Sequence, residues 1–252
     1  MFATEGTETS EKIKMEEEKI INGNCWVACF DILGFKEAIL GFEKCYGVGR
    51  LDRFADVIYK NEILDTLERG EKAFQGRVYT CWASDTFVFY TPDDSGTSFK
   101  LISAAAIHFL CRMIRHSSSY MPRGALGTGQ FYVDKQNNIF LGSALIDAYE
   151  YAEKQNWIGF VVTPSAEKKI GDIESQPHNL LSQYKQYNVP IKKKESRNEI
   201  RCIVEDTELL FAAKVQSYPE IKRFFQPRRK GTPQKEWAKK YENTRRFFEQ
   251  HP

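Results

Sequence analysis

A continuous apolar run that stops at a carboxylate constrains this chain more than any other feature. Cys25-Trp-Val-Ala-Cys-Phe is followed at once by Asp31-Ile-Leu-Gly-Phe. The run is short and carries β-branched and aromatic side chains, which suits a buried strand. A carboxylate at the edge of an apolar sheet is costly to hold unless something pairs with it. Gly34 allows a tight backbone path, and a helix is expected from about Lys36 to Lys44. The amides at such a helix start favour phosphate.

Further along, the periodicity alternates between helix and strand. Leu51 to Arg69 has helical spacing, with apolar residues at 51, 54, 57, 58, 64 and 67. Arg77-Val-Tyr-Thr-Cys-Trp-Ala and Thr86-Phe-Val-Phe-Tyr predict two strands joined tightly at Ser84-Asp85. Phe99 to Ile114 is again helical in spacing, and Pro122-Arg123 open a strand running to Val133. Asp134-Lys-Gln-Asn-Asn predicts a hairpin loop, with Ile139-Phe-Leu as the return. Ser143 is expected to cap a helix through about Lys154, with Ala144, Leu145, Ala148 and Ala152 inward. Trp157 to Val162 reads as a strand, and a short helix follows Thr163-Pro164.

After about residue 172 the pattern weakens. Residues 173–199 are polar, Ile200-Arg-Cys-Ile-Val predicts a last strand, and Gln234 to Gln250 a last helix. The expected organisation is a polar arm over residues 1–20, a main domain over 21–172, and a partly helical extension over 173–252. The fold class expected is α+β, with helices packed on one sheet.

Composition narrows the function classes. Hydrophobic residues are 42%, charged residues 28% and the net charge is +2, so no global field draws the chain to nucleic acid or a membrane. No run of about 18 apolar residues is evident, and residues 1–20 hold no apolar leader segment. Six cysteines are present without a second Cys/His pair to complete a zinc site. Cys25 and Cys29 fall on one face of the predicted strand. They read as small buried hydrophobes in a reducing cytosol. His108 reads as a core residue, Lys192-Lys-Lys as a charged loop, and Arg223 to Lys230 as a basic tail with docked aromatics rather than a nucleic-acid patch. Walker, GxGxxG and GxSxG motifs are absent.

The chemistry is expected at Asp31 and Asp85. Taken singly, these residues also suit a helix N-cap and a turn. On adjacent strand ends they would share divalent cations, because hard cations take oxygen ligands and complete their shells with substrate phosphates. The Ile32 carbonyl is a candidate third ligand.

Together these motifs resemble class III nucleotidyl cyclases. Phe30-Asp-Ile-Leu-Gly-Phe is similar to their first metal motif, and Ser84-Asp85-Thr-Phe-Val-Phe to their second, a hairpin with an acidic tip. Arg123-Gly-Ala-Leu-Gly-Thr-Gly resembles the strand that follows, and Gly142-Ser-Ala-Leu-Ile-Asp-Ala-Tyr-Glu the late helix. Order and spacing agree from residue 25 to about 166. The wording is nearest to the bacterial pyrimidine cyclases of Pycsar antiphage systems.

The resemblance implies a class III cyclase-like fold with a ferredoxin-like β-α-β-β-α-β core. It implies Asp31, Ile32 and Asp85 as ligands to two Mn²⁺ or Mg²⁺ ions, with Asp31, Asp85 and Arg123 as catalytic groups. It places Phe30, Leu33, Gly34, Phe35, Tyr79 and Cys81 around the nucleotide. It further implies a cytoplasmic homodimer with sites at its interface, UTP or CTP as substrate, and a separate effector that answers the cyclic product. Two positions depart from the pattern. Where purine cyclases carry a base-reading Lys or Glu, four residues before the second aspartate, this chain has Cys81. Where they carry a late-helix Asn and Arg, it has Asp147 and Tyr151. A cyclase-like module that binds nucleotide or a partner without turnover is the alternative reading. A palm-type nucleotidyltransferase is a third.

Overall fold

The computed structural model describes residues 20–47, 76–116, 121–174, 180–192, 206–213 and 234–251, with isolated positions at 52, 55, 67 and 74. The elements, in chain order, are β1 (Ile21–Leu33), α1 (Phe35–Tyr46), β2 (Tyr79–Ala83), β3 (Thr86–Tyr90), α2 (Gly96–His116), β4 (Met121–Asp134), β5 (Ile139–Leu141), α3 (Ser143–Lys154), β6 (Phe160–Val162), α4 (Pro164–Ile173), β7 (Tyr184–Ile191), β8 (Asp206–Ala213) and α5 (Gln234–Gln250).

One sheet runs in the order β2-β3-β1-β4-β6-β8-β7, with β5 attached to β4. All its pairs are antiparallel except β4 with β6. Among the described residues, the elements from β1 to β4 follow β-α-β-β-α-β, and their strands lie in the order β2-β3-β1-β4. That is the ferredoxin-like arrangement, so the expected α+β core is the one that forms. β8 and β7 continue the same sheet beyond β6.

The central strand explains why the run from Cys25 is apolar at every position. Its alternate side chains enter two cores. Trp26, Ala28, Phe30 and Ile32 join the larger core with Phe99, Ile102, Phe109 and Phe160. Cys25, Val27 and Cys29 join a smaller one with Ala144 and Ala148 of α3. Phe30 stacks on Phe160 at 5.0 Å and meets Phe109 edge-on at 4.9 Å. Gly124 lies opposite Phe30 across β1 and β4. A Cβ there would lie 2.4 Å from the ring, so only glycine lets the ring lie flat on the neighbouring strand.

Several expectations are corrected. Ser143 is the first residue of α3 rather than its cap; Gly142 holds that position, with no side-chain hydrogen bond. The strand expected from Trp157 begins at Phe160, although Trp157 and Ile158 are already buried. His108 is exposed, on the outward side of α2. β7 falls in the stretch read as polar. α2 is long and apolar enough to cross a membrane by length and composition, and its inward side chains, Phe99, Ile102, Phe109 and Met113, are all in the core. The arm up to residue 19, most of the predicted helix from Leu51 to Arg69, the strand from Ile200, Cys202, Lys193, Lys194 and the basic tail lie outside the described residues. No disulfide joins the five described cysteines.

Candidate active site

The two aspartates arrive from different strands at one end of the sheet. Asp31 stands opposite Thr86 in the β1–β3 ladder, so Asp85 is the next residue along the facing strand. The Ile32 amide donates to the Asp85 carbonyl at 3.1 Å, which closes the β2–β3 turn onto the end of β1. Ser84 makes that turn with a positive φ of 57°. A strand residue's N–H and C=O leave the same edge, so the Ile32 carbonyl also faces the turn that carries Asp85.

Arg123 pairs with Asp31 directly across β1 and β4. Its Nε and Nη2 donate to Asp31 Oδ2 at 2.8 and 2.5 Å, while Nη1 donates to the Gln155 carbonyl at 2.7 Å. Arg123 is buried at 5% exposure. The charge that the apolar sheet edge demanded for Asp31 therefore comes from its strand neighbour. Asp31 Oδ1 lies outside this pair.

Gln155 holds that guanidinium in place, and sequence reasoning missed it. It is fully buried at the end of α3. Its amide nitrogen donates to the Gly124 and Tyr151 carbonyls, and its amide oxygen accepts from Trp157 Nε1 at 2.6 Å. Its backbone also bridges to Ile191 of β7. A lone polar residue after a helix carries no sequence signal for such a role.

The remaining expected site residues divide. Phe30, Leu33 and Phe35 have side chains buried in the larger core. Gly34 makes the turn into α1 with φ 74°, and no side chain caps the helix there. Tyr79 and Cys81 are half-buried on the same sheet face as Cys29. Tyr79 stacks on Tyr90 at 5.5 Å, with the Lys135 ammonium 5.2 Å from its ring centre. Burial pushes the Cys29 thiol up, aided by Asp31 and Cys81, so this face brings Cys29, Asp31 and Cys81 within electrostatic reach.

The two late-helix positions that depart from the cyclase pattern have structural partners. Asp147 Oδ2 accepts from Thr163 Oγ1 at 2.7 Å and Ser165 Oγ at 2.5 Å, joining α3 to the start of α4. The Tyr151 hydroxyl donates to Glu208 Oε1 at 3.0 Å, and Lys154 pairs with Glu208 Oε2 at 2.5 Å, joining α3 to β8. Lys192 sits beside the same helix end, its amide donating to the Lys154 carbonyl at 2.7 Å. Although Lys192 is exposed as a residue, desolvation and then Arg123 lower its pKa, against the opposing pull of Glu153 and Asp31.

Asp31, Asp85 and the Ile32 carbonyl would offer only oxygen donors, the ligand type that hard divalent cations take. Among the described residues no cluster of three or more His, Cys, Asp or Glu side chains could hold a metal. Two carboxylates and a carbonyl leave several positions of an octahedral shell to water or phosphate, the usual state of Mg²⁺ in nucleotide sites.

No protein-family model and no curated protein matches the chain. Among solved structures, it is similar to the catalytic core of a rhodopsin-guanylyl cyclase with converted specificity in complex with ATPalphaS, at 12% identity and TM-score 0.48, over 77% of this chain and 97% of that one. It is also similar to a bacterial light-regulated adenylyl cyclase, at 12% identity and TM-score 0.45, over 82% and 98%. A third is an adenylate/guanylate cyclase/hydrolase from Silicibacter pomeroyi, at 10% identity and TM-score 0.44, over 77% and 98%.

Proposed function

We propose that this protein is a nucleotidyl cyclase that converts UTP or CTP to the 3′,5′-cyclic nucleotide and pyrophosphate. The observation that carries the proposal is the closure of the Asp85 turn onto Ile32, which brings the backbone of the second aspartate to the residue that follows the first. The motif resemblance around both residues gives the reaction class. Asp31, Asp85 and the Ile32 carbonyl would hold Mn²⁺ or Mg²⁺, which as Lewis acids would favour the ribose alkoxide and the pyrophosphate leaving group. The ribose 3′-oxygen forms a bond to the α-phosphorus, the bond from that phosphorus to the bridging oxygen breaks, and pyrophosphate leaves. The 3′-hydroxyl proton passes to solvent. Positioning and charge neutralisation are the protein's main contributions.

Arg123 orients Asp31 and keeps a positive charge beside it, and the uncapped start of α1 after Gly34 suits a phosphate. The pyrimidine assignment rests on Cys81. Its short uncharged side chain stands on the site face where a purine-reading Lys or Glu would be expected, with Tyr79 narrowing the same face. The cyclase core covers residues 21–172, after an arm at 1–20. Residues 173–252 form an extension whose β7 and β8 lengthen the sheet. The reading extends to a cytoplasmic homodimer with sites at its interface, and to a cyclic product that signals to a separate effector in antiphage defence.

The decisive experiment is incubation with each of the four NTPs and Mn²⁺, with products separated by chromatography. Cyclic UMP or cyclic CMP is expected, lost by several orders of magnitude in Asp31→Ala and Asp85→Ala. Near-wild-type cyclisation in either variant would falsify the site. The partnered state of Asp147 and Tyr151 favours one second reading, a module that binds nucleotide without turnover. It predicts NTP binding with no cyclic product.

A further inference from the structure

We propose that Tyr149 is a nucleotide-contacting residue of the aspartate site, its phenolic O–H donating to a phosphate oxygen of the triphosphate. This rests on the cyclase reading above and adds a residue that the sequence motifs did not point to.

The placement follows from helix geometry. α3 lies on the sheet face that carries Cys29, seated through Ala144 and Ala148, which are fully buried. Residues one turn apart share a helix flank, while residues two apart face nearly opposite ways. Asp147 and Tyr151 share the flank that reaches Thr163, Ser165 and Glu208. Tyr149 lies between them in sequence, so its side chain leaves by the other flank. Leu145, one turn earlier, packs against the cluster that also takes Tyr79, Cys81 and Phe140, and in the sheet order β6 and β8 lie across β4 from β1 and β3, so this flank is the β1–β3 side. That is the side where the Asp85 turn closes on β1.

The helix is also fixed against sliding. The guanidinium that grips Asp31 donates to the carbonyl of Gln155, at the end of α3. Tyr149 is 42% exposed, so its ring is not used up in packing. Glu153, burial, Asp31, Cys29 and Asp85 act on the phenol in that order, and all hold its proton on. A neutral donor within electrostatic reach of two carboxylates gains its best acceptor when a triphosphate enters. The late helix then contributes to the site through its inner flank, while its outer flank stays tied to α4 and β8.

The test is Tyr149→Phe, which removes only the hydroxyl. Wild type and variant are compared for cyclisation of UTP and CTP with Mn²⁺, for Mn²⁺-nucleotide affinity by calorimetry, and for thermal unfolding. A hydrogen bond to a charged acceptor predicts a loss of about tenfold in kcat/KM and in affinity, with an unchanged unfolding midpoint. Unchanged turnover and affinity in Tyr149→Phe overturn the inference and leave the cyclase reading standing. So does a lowered midpoint, which makes the residue structural. If the wild type binds nucleotide but forms no cyclic product, the cyclase reading fails and the affinity comparison alone decides Tyr149. If it binds none, both fail.

Discussion

Arg123 reaches Asp31 through two nitrogens, and both donate to the same oxygen, Oδ2, so one buried guanidinium covers one half of the carboxylate and leaves the other half outside the pair. The third arm of that guanidinium ends on the Gln155 carbonyl. The proposed cation ligand, the central sheet and the late helix therefore meet at a single side chain.

Removing that side chain strands a carboxylate whose exposure is 19% and a fully buried helix-end carbonyl. Arg123→Ala is expected to lose about 2–4 kcal/mol, the lower part of this range reflecting the partial exposure of Asp31. Urea unfolding measures this. Saturating Mn²⁺ should raise the melting temperature of Arg123→Ala more than that of wild type, because a cation can take over the charge on Asp31 and stabilises only the folded state. An equal Mn²⁺ shift in both proteins would show that Asp31 is not a cation ligand.

Tyr151 occupies the position where cyclase-like sequences place an arginine, but its hydroxyl is committed to Glu208. Tyr151→Phe is expected to lose about 1 kcal/mol of stability and to keep wild-type turnover within about twofold, since the lost bond joins α3 to β8 and reaches no substrate. A large fall in kcat with unchanged stability would instead return Tyr151 to the reacting centre.

These assignments mark where sequence reasoning succeeds and where it stops. The apolar run at Cys25 dictates the central strand because each of its side chains must be buried, and the structure buries them on both faces. The Ser84-Asp85 turn is legible because two β-rich segments leave only two residues to connect them. β7 is not legible. Its sequence Tyr-Lys-Gln-Tyr-Asn-Val-Pro-Ile buries Tyr184, Tyr187, Val189 and Pro190 in no simple alternation, and Pro190 suits only an edge strand such as this one. The family resemblance groups Phe30, Leu33 and Phe35 with the nucleotide, yet their side chains lie in the core. Strand alternation instead sends Phe30 to the opposite face from Asp31. Gln155 and Tyr149 escape sequence reasoning for a related reason, since each acts through a neighbour that only the fold supplies.

Gly124 makes a sharper test of the core beneath the site. It neighbours Arg123, and an added Cβ would lie 2.4 Å from Cδ1 of Phe30 and 2.9 Å from the Cys29 carbonyl oxygen. Phe30 is held by Phe160, Phe109 and Phe89, so the ring cannot swing aside without disturbing all three. Gly124→Ala is expected to destabilise by about 3 kcal/mol, the upper range for overpacking, and to weaken activity through displacement of Arg123. Denaturant titration gives the first quantity. A neutral result would mean that the Phe30 ring has room the packing denies it.

The buried thiols make a prediction for alkaline pH. Burial, with help from Asp94 and Asp93, pushes Cys25 from its ordinary value near 9 up to about 11, and burial pushes Cys29 in the same direction. A raised thiol pKa means that the folded state holds the proton more tightly than the unfolded chain. The associated stability is complete below pH 9 and is lost as pH rises toward 11. Lysines and tyrosines titrate in the same window, so the comparison must be with Cys25→Ala, in which this contribution is absent. Denaturant-derived stability of wild type should fall between pH 8.5 and 10.5 by about 1–2 kcal/mol more than that of the variant. Parallel pH profiles for the two proteins would mean that the Cys25 thiol is not shielded from water in the folded chain.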